Sequence, residues 1–297
     1  ENCQTIDEIS HPSVREVLRY LNIDRGVEIH HDGDLPARSG MGSSSSFTVG
    51  LLHALYALKG QMPSKQQLAQ ESIYIEQEIL KETVGSQDQM SAAHGGFNII
   101  EFLPSGEIST RPMTLAKERI EEVNSHLMLF YTGIIRTASN VAESYVNDIE
   151  NRKQQFHIMS DLLNESITVL NKGKDINRFG ELLHEAWQVK RSLSKKVSNS
   201  NVDEIYNMAR SAGAVGGKLT GAGGGGFMLL FVPPEKQIKV KEKLNNLICV
   251  PFKFESSGSQ IVFFNNQEDY SIIERERAKQ SVQAFEELDH SQKGQES

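Results

Sequence analysis

The sequence predicts an α+β chain, and three observations carry that expectation. An alternating strand pattern at Gly26-Val27-Glu28-Ile29-His30 runs through a Gly/Ser loop into a helical pattern that begins near Ser43. Helical periodicity then fills residues 138–212, broken at Lys172-Gly173-Lys174 and near Ser198-Asn199-Ser200. A glycine cluster at 213–226 leads into a strand at 227–232, a helix at 235–247 and strands at 249–255 and 259–264, a β-α-β-β ending.

With 297 residues, 38% of them hydrophobic, the chain has material for one large or two ordinary domains. A net charge of −8 excludes a broad basic surface, so no nucleic-acid partner is expected and any anion site is local. Cys3 and Cys249 stand far apart without metal-ligand spacing, which suits a reducing, cytoplasmic setting better than a disulfide framework. No apolar run reaches membrane-spanning length and no signal peptide is visible, so no membrane partner is expected.

In order, residues 1–11 are irregular and Pro12 to Leu21 reads as a helix, with proline in its first turn and Val14, Val17, Leu18 and Leu21 on one face. The helix from Ser43 carries Phe47, Leu51, Leu55 and Leu58, and Gly60-Gln61-Met62-Pro63 ends it. Ser64 is the expected N-cap of the next helix, whose apolar side is Leu68, Ser72, Ile75 and Ile79 and which stops before Gly85. A short small-residue segment, Met90 to His94, precedes a hairpin of Gly95–Phe102 and Ile108–Met113 across Pro104-Ser105-Gly106. Residues 116–124 read as a helix and His126 to Tyr131 as a buried strand; Leu182, Leu183, Ala186, Val189, Lys190 and Leu193 stripe a later helix. A boundary near residue 125 separates domains 1–125 and 126–265, and 266–297 form a charged tail.

The segment Asp34-Leu35-Pro36-Ala37-Arg38-Ser39-Gly40-Met41-Gly42-Ser43-Ser44-Ser45-Ser46 reads as a phosphate cradle. Glycines at 40 and 42 admit close backbone approach, and unpaired N–H groups at the helix start favour an anion. It is no Walker A loop, because no Lys-Ser or Lys-Thr follows, and Ser45 replaces the third glycine of a dinucleotide fingerprint. Taken alone, it reads equally as a turn and N-cap.

Three segments, Pro36 to Ser44, Gly85-Ser86-Gln87-Asp88-Gln89 and Lys218-Leu219-Thr220-Gly221-Ala222-Gly223-Gly224-Gly225-Gly226, stand in an order and at separations that resemble the GHMP small-molecule kinases. The likeness covers roughly residues 1–265. Within that group, Gly95-Gly96-Phe97-Asn98, Tyr131-Thr132-Gly133, Leu183-His184-Glu185-Ala186-Trp187 and Pro251-Phe252-Lys253-Phe254-Glu255 resemble the D-glycero-D-manno-heptose 7-phosphate kinases. The resemblance implies a ribosomal protein S5 domain 2-like N-terminal domain, a ferredoxin-like C-terminal domain, and ATP- and Mg²⁺-dependent phosphorylation of a sugar-phosphate hydroxyl, the anomeric one of the heptose.

By the same resemblance, Arg38, Ser39, Gly40, Met41, Gly42, Ser43, Ser44 and Ser45 wrap the ATP phosphates, and Ser44 and Glu76 hold Mg²⁺. Asp88 is the acceptor-side catalytic carboxylate, and Lys218, Thr220, Gly221, Gly223 and Gly224 belong to a second loop near the substrate. Judged singly, Glu76 reads first as a solvated helix charge and Asp88 as a turn or N-cap residue; a hinge is the alternative for the glycine cluster, although a linker is rarely followed at once by an apolar strand. Arg136, Lys190 and Arg191 stand between sugar-phosphate contacts and surface charge, while His184 and Trp187 read as packing residues.

Two departures from the family pattern stand out: Arg38 replaces a small residue and Met41 a leucine. The family's opening strand, with its Pro-x-Arg-type motif and glycine-rich segment, is also absent. That implies an incomplete N-terminal sheet, an Asp88 without its basic neighbour, and a fragment, cropped chain or degenerate copy. A fucokinase-like acceptor and a non-catalytic nucleotide or sugar-phosphate binder are the alternatives.

Overall fold

The computed structural model describes residues 1–35, 39–134, 141, 144, 148–173, 175–265, 271–277 and 279. Residues 1–260 form one compact unit and residues 261–297 a second.

In the first unit, helices α1 (Pro12–Tyr20), α2 (Ser43–Leu58), α3 (Lys65–Tyr74) and α4 (Gln87–His94) precede a hairpin of β1 (Asn98–Phe102) and β2 (Ile108–Pro112). The expected Ser64 cap is present, its Oγ accepting a bond from Gln67 N at 3.1 Å. The apolar faces of α1 to α4 close on one core that includes Val17, Leu52, Leu55, Leu68, Ile75 and Met90. Leu58, at the far end of the α2 pattern, is 43% exposed. The small-residue segment 90–94 is helical from Gln87, which places Asp88 in a first helical turn.

Helix α5 (Lys117–His126) leads into β3 (Leu127–Tyr131), so His126 ends a helix and does not open the strand. After α6 (Lys153–Lys172), α7 (Asn177–Leu193) and α8 (Ser200–Ala212) come β4 (Gly216–Leu219), β5 (Phe227–Phe231), α9 (Gln237–Lys243) and β6 (Ile248–Val250). These strands make a four-stranded antiparallel sheet in the order β4-β5-β3-β6, the strand order of a ferredoxin-like split β-α-β sheet. Its core gathers Phe130, Trp187, Tyr206, Leu219, Met228 and Leu230. Helix α7 lies directly on the sheet, where a Cβ at Gly216 would fall 1.8 Å from the Gly180 carbonyl oxygen.

Two expected strands do not form and a third is cut short. Residues 26–30 alternate in sequence only: among the described residues no strand pairs with them, and Ile29 stays 36% exposed. The strand expected at 249–255 ends at Val250 because Pro251 lacks the N–H a ladder needs. The chain instead straps the end of α4, with Gly96 N donating to Glu255 O at 2.9 Å and Ser259 N to Ala93 O at 3.3 Å. Residues 261–264 are not a strand either; Val262 is 93% and Phe263 81% exposed. The second unit also holds α10 (Ser271–Arg277). Among the described residues no helix is long and apolar enough to cross a membrane.

Candidate active site

Four segments of the first unit meet at the start of α2. Gly42 caps that helix at φ 70°, and among the described residues no side chain bonds its first-turn N–H groups, so backbone donors and the positive dipole end together suit an anion. Gly40 has φ 79°, and a Cβ there would sit 3.4 Å from the Thr220 carbonyl oxygen. A Cβ at Gly221 would lie 2.8 Å from Gly40 O, and one at Gly226 only 1.9 Å from Ser39 O. The two glycine loops therefore touch backbone to backbone, an approach that side chains would forbid. Beside them, a Cβ at Gly42 would meet Asp88 Cγ at 3.1 Å and Oδ2 at 3.2 Å.

Glu76 is fully buried, which overturns its reading as a solvated charge. Its Oε2 accepts bonds from Ser45 Oγ at 2.9 Å and Gln89 Nε2 at 2.5 Å, while among the described residues nothing donates to its Oε1. Burial raises its pKa above the ordinary carboxylate value, against the hydrogen bonds from Ser45 and Gln89 and the nearby Thr48 hydroxyl, which pull it down. The residue lies in a π-turn, Ile75–Ile79, closed by Leu80 N donating to Ile75 O at 2.9 Å, an irregularity that recurs at functional positions. Asp88 differs: water reaches its side chain, yet protein closes round it enough for burial to raise its pKa. Among the described residues no cation pairs with it.

Of the first-loop residues, Ser39 is buried with an unpartnered Oγ, Met41 is 37% exposed, and Ser43 is half-buried. Ser44 is exposed, its carbonyl taking Thr48 Oγ1 at 3.1 Å. Ser45 departs from expectation, because its hydroxyl turns inward to Glu76 and away from the loop. Arg38 and Arg136 lie outside the described residues.

The second loop is no hinge. Gly224 N donates to Val197 O at 2.6 Å, Gly226 N to Ile134 O at 2.9 Å, and Thr132 Oγ1 to Gly226 O at 2.7 Å. Gly223 to Gly226 are buried and only Gly221 is exposed, so Gly223 and Gly224 back the loop from inside. Thr220 bonds Phe227 O through N at 2.9 Å. Lys218 lies on β4, not in the loop; burial lowers its pKa, and no described side chain pairs with it. Lys190 Nζ donates to Gly221 O at 2.5 Å, and Arg191 bonds Asp203 at 2.7 Å. His184 and Trp187 pack on Tyr206, His184 Nδ1 lying 2.7 Å from its hydroxyl.

Sequence reading missed two features. Gln89 was not singled out, and no periodicity marks it, although it is buried against Glu76. A hollow of about 470 Å³ beside the first loop, lined by Ile29, His31, Met41, Ser43, Phe47 and Ala54, was also unforeseen. Among the described residues no cluster of three or more His, Cys, Asp or Glu side chains converges as a metal cage.

The sequence matches the GHMP kinases N terminal domain over residues 11–96 and the GHMP kinases C terminal over residues 160–248. It is 30% identical over 219 residues to the D-glycero-alpha-D-manno-heptose 7-phosphate kinase of Campylobacter jejuni, across 73% of this chain and 64% of that protein. Identity to the L-fucokinase/L-fucose-1-P guanylyltransferase of Bacteroides fragilis is 27% over 248 residues, 80% of this chain and 25% of that protein. A solved D-glycero-D-manno-heptose 1-phosphate kinase from Bacteroides thetaiotaomicron superposes with a TM-score of 0.64 at 25% identity, over 83% of this chain and 71% of that one. The chain thus spans just under two thirds of the curated heptose kinase and a quarter of the fucokinase protein. With both family halves matched in order and the two glycine loops, Glu76 and Asp88 gathered at the start of one helix, the chain belongs to the GHMP kinase family.

Proposed function

We propose that this chain transfers the γ-phosphoryl group of ATP to a sugar-phosphate hydroxyl, with the anomeric hydroxyl of D-glycero-D-manno-heptose 7-phosphate as acceptor. The observation that carries the reading is Glu76: a fully buried carboxylate with one oxygen held by two donors and the other, among the described residues, accepting nothing. Such an oxygen suits a divalent cation, and the hydroxyl of exposed Ser44, on the first turn of α2, would be the second protein ligand. Phosphates and water would complete the Mg²⁺ shell, and bound Mg²⁺ supplies charge neutralisation at the phosphates.

The chain's own groups do the remaining work. First-loop amides hold the phosphates, and the hollow between residues 29–35 and α2 takes the nucleotide base, since it opens beside Met41 and Ser43. Asp88, against Gly42, orients the acceptor hydroxyl and takes its proton as the oxygen attacks phosphorus. The acceptor identity is supported by the 30% identity to the Campylobacter heptose kinase. ADP release measured with Mg²⁺·ATP and a panel of sugar phosphates and free sugars tests this: turnover with the heptose 7-phosphate above fucose and above the no-acceptor rate is expected. Turnover only with fucose would move the acceptor, and none with any sugar would favour the second reading. That reading, a non-catalytic nucleotide or sugar-phosphate binder, rests on Asp88 having no cationic partner among the described residues.

A further inference from the structure

We propose that Gln89 is a positioning residue: a buried strut that, with Ser45, fixes Glu76 so that only Oε1 faces the metal, and that ties the metal-side carboxylate to the acceptor-side one. The inference rests on the kinase reading and adds to it a residue that touches neither phosphate nor acceptor.

Gln89 is fully buried, as is Glu76, and Nε2 of the first lies 2.5 Å from Oε2 of the second. Ser45 Oγ reaches the same oxygen at 2.9 Å. Two donors converging on one carboxylate oxygen fix both χ angles that matter and leave the other oxygen with a single orientation. A glutamate alone on a helix would sample several rotamers at this depth, and a metal would have to order it on binding. The strut also fixes geometry across elements. Gln89 follows Asp88 in the first turn of α4, Glu76 lies in the π-turn after α3, and Ser45 lies in the first turn of α2. One shared oxygen therefore links the three backbone segments that carry the metal-side and acceptor-side groups. Among the described residues nothing donates to the buried Gln89 Oε1, a desolvation cost that an apolar side chain of the same volume would avoid.

The test is Mn²⁺ binding to the whole chain by calorimetry, with ATP affinity in chelator and the melting temperature measured on the same samples. Gln89→Met keeps the volume and removes the donor; it is expected to weaken Mn²⁺ about 10- to 100-fold, the usual cost of losing an outer-shell partner, while metal-free ATP affinity changes less than about twofold. Ser45→Ala, losing the longer bond, is expected to weaken Mn²⁺ by less. Gln89→Asn, one methylene too short to span to Oε2, should not restore affinity. Unchanged Mn²⁺ affinity in folded Gln89→Met overturns the strut. If Gln89→Met does not fold, an Mn²⁺ affinity for Ser45→Ala equal to that of the parent overturns it equally. Glu76→Gln separates the two levels: if it too leaves Mn²⁺ binding intact, the metal assignment under the kinase reading fails, and if it alone abolishes binding, only the strut fails.

Discussion

The two glycine loops touch, yet glycine serves opposite ends in them. In the first, Gly40 and Gly42 sit in the left-handed region with modest clearances of 3.4 and 3.1 Å, and the loop presents unbonded amides at the start of α2. In the second, Gly223 to Gly226 are buried and bonded to Val197 and Ile134, and added Cβ atoms would fall 1.9 to 2.6 Å from backbone oxygens at 226, 223 and 225. Glycine in the first loop exposes donors to a ligand; in the second it lets backbones pack. A ligand loop and its abutment can thus share a composition and differ in function.

Four outcomes would break or sharpen that contrast. The largest belongs to the first-loop side: Asp88→Asn is expected to lower kcat by about 10²- to 10⁴-fold with ATP affinity nearly unchanged, measured by steady-state kinetics and calorimetry. Unchanged turnover removes Asp88 from the chemistry. Next, Gly226→Ala should cost stability, by about 2–5 kcal/mol in denaturant unfolding, since its methyl meets Ser39 O at a φ of +89°. A mild effect would show that the second loop yields. Gly42→Ala should cost only about 1–2 kcal/mol, because its clearance of 3.1 Å is to a side chain, yet lower kcat about 10-fold or more by displacing Asp88. Equal losses of stability at 42 and 226 would erase the distinction.

The smallest effect concerns pH. Burial raises the folded-state pKa of Glu76, so its contribution to stability is complete below the unfolded-state value of about 4.5 and is lost as pH rises through the folded-state value. In metal-free buffer near neutrality, Glu76→Gln should therefore melt about 2–4 °C higher, equivalent to ~1 kcal/mol, and the gain should vanish in acid. A lower melting point at neutral pH would contradict the burial argument.

Much of this was legible in the residues. The α2 start, the Ser64 cap and the hairpin across 104–106 follow from local chemistry, and local chemistry does not depend on the remainder of the fold. Burial of Glu76 ran against its reading as a solvated charge, although it lies four residues after Ser72 on the stripe with Leu68. Strand β4 was hidden because Gly216 and Gly217 carry no strand propensity; packing against α7 makes the strand. The extended runs at 26–30 and 261–264 failed for the converse reason: alternation is local, but a strand exists only when another backbone pairs with it. Gln89 stands in the 85–89 segment, but its burial left no signal, because a single buried amide has no period.

The most direct test is a calorimetric titration of ATP into the whole chain, with and without Mg²⁺, for the parent and Glu76→Gln. Magnesium should tighten ATP binding to the parent about 10-fold or more and leave Glu76→Gln at its metal-free affinity. An equal magnesium effect on both would contradict the account.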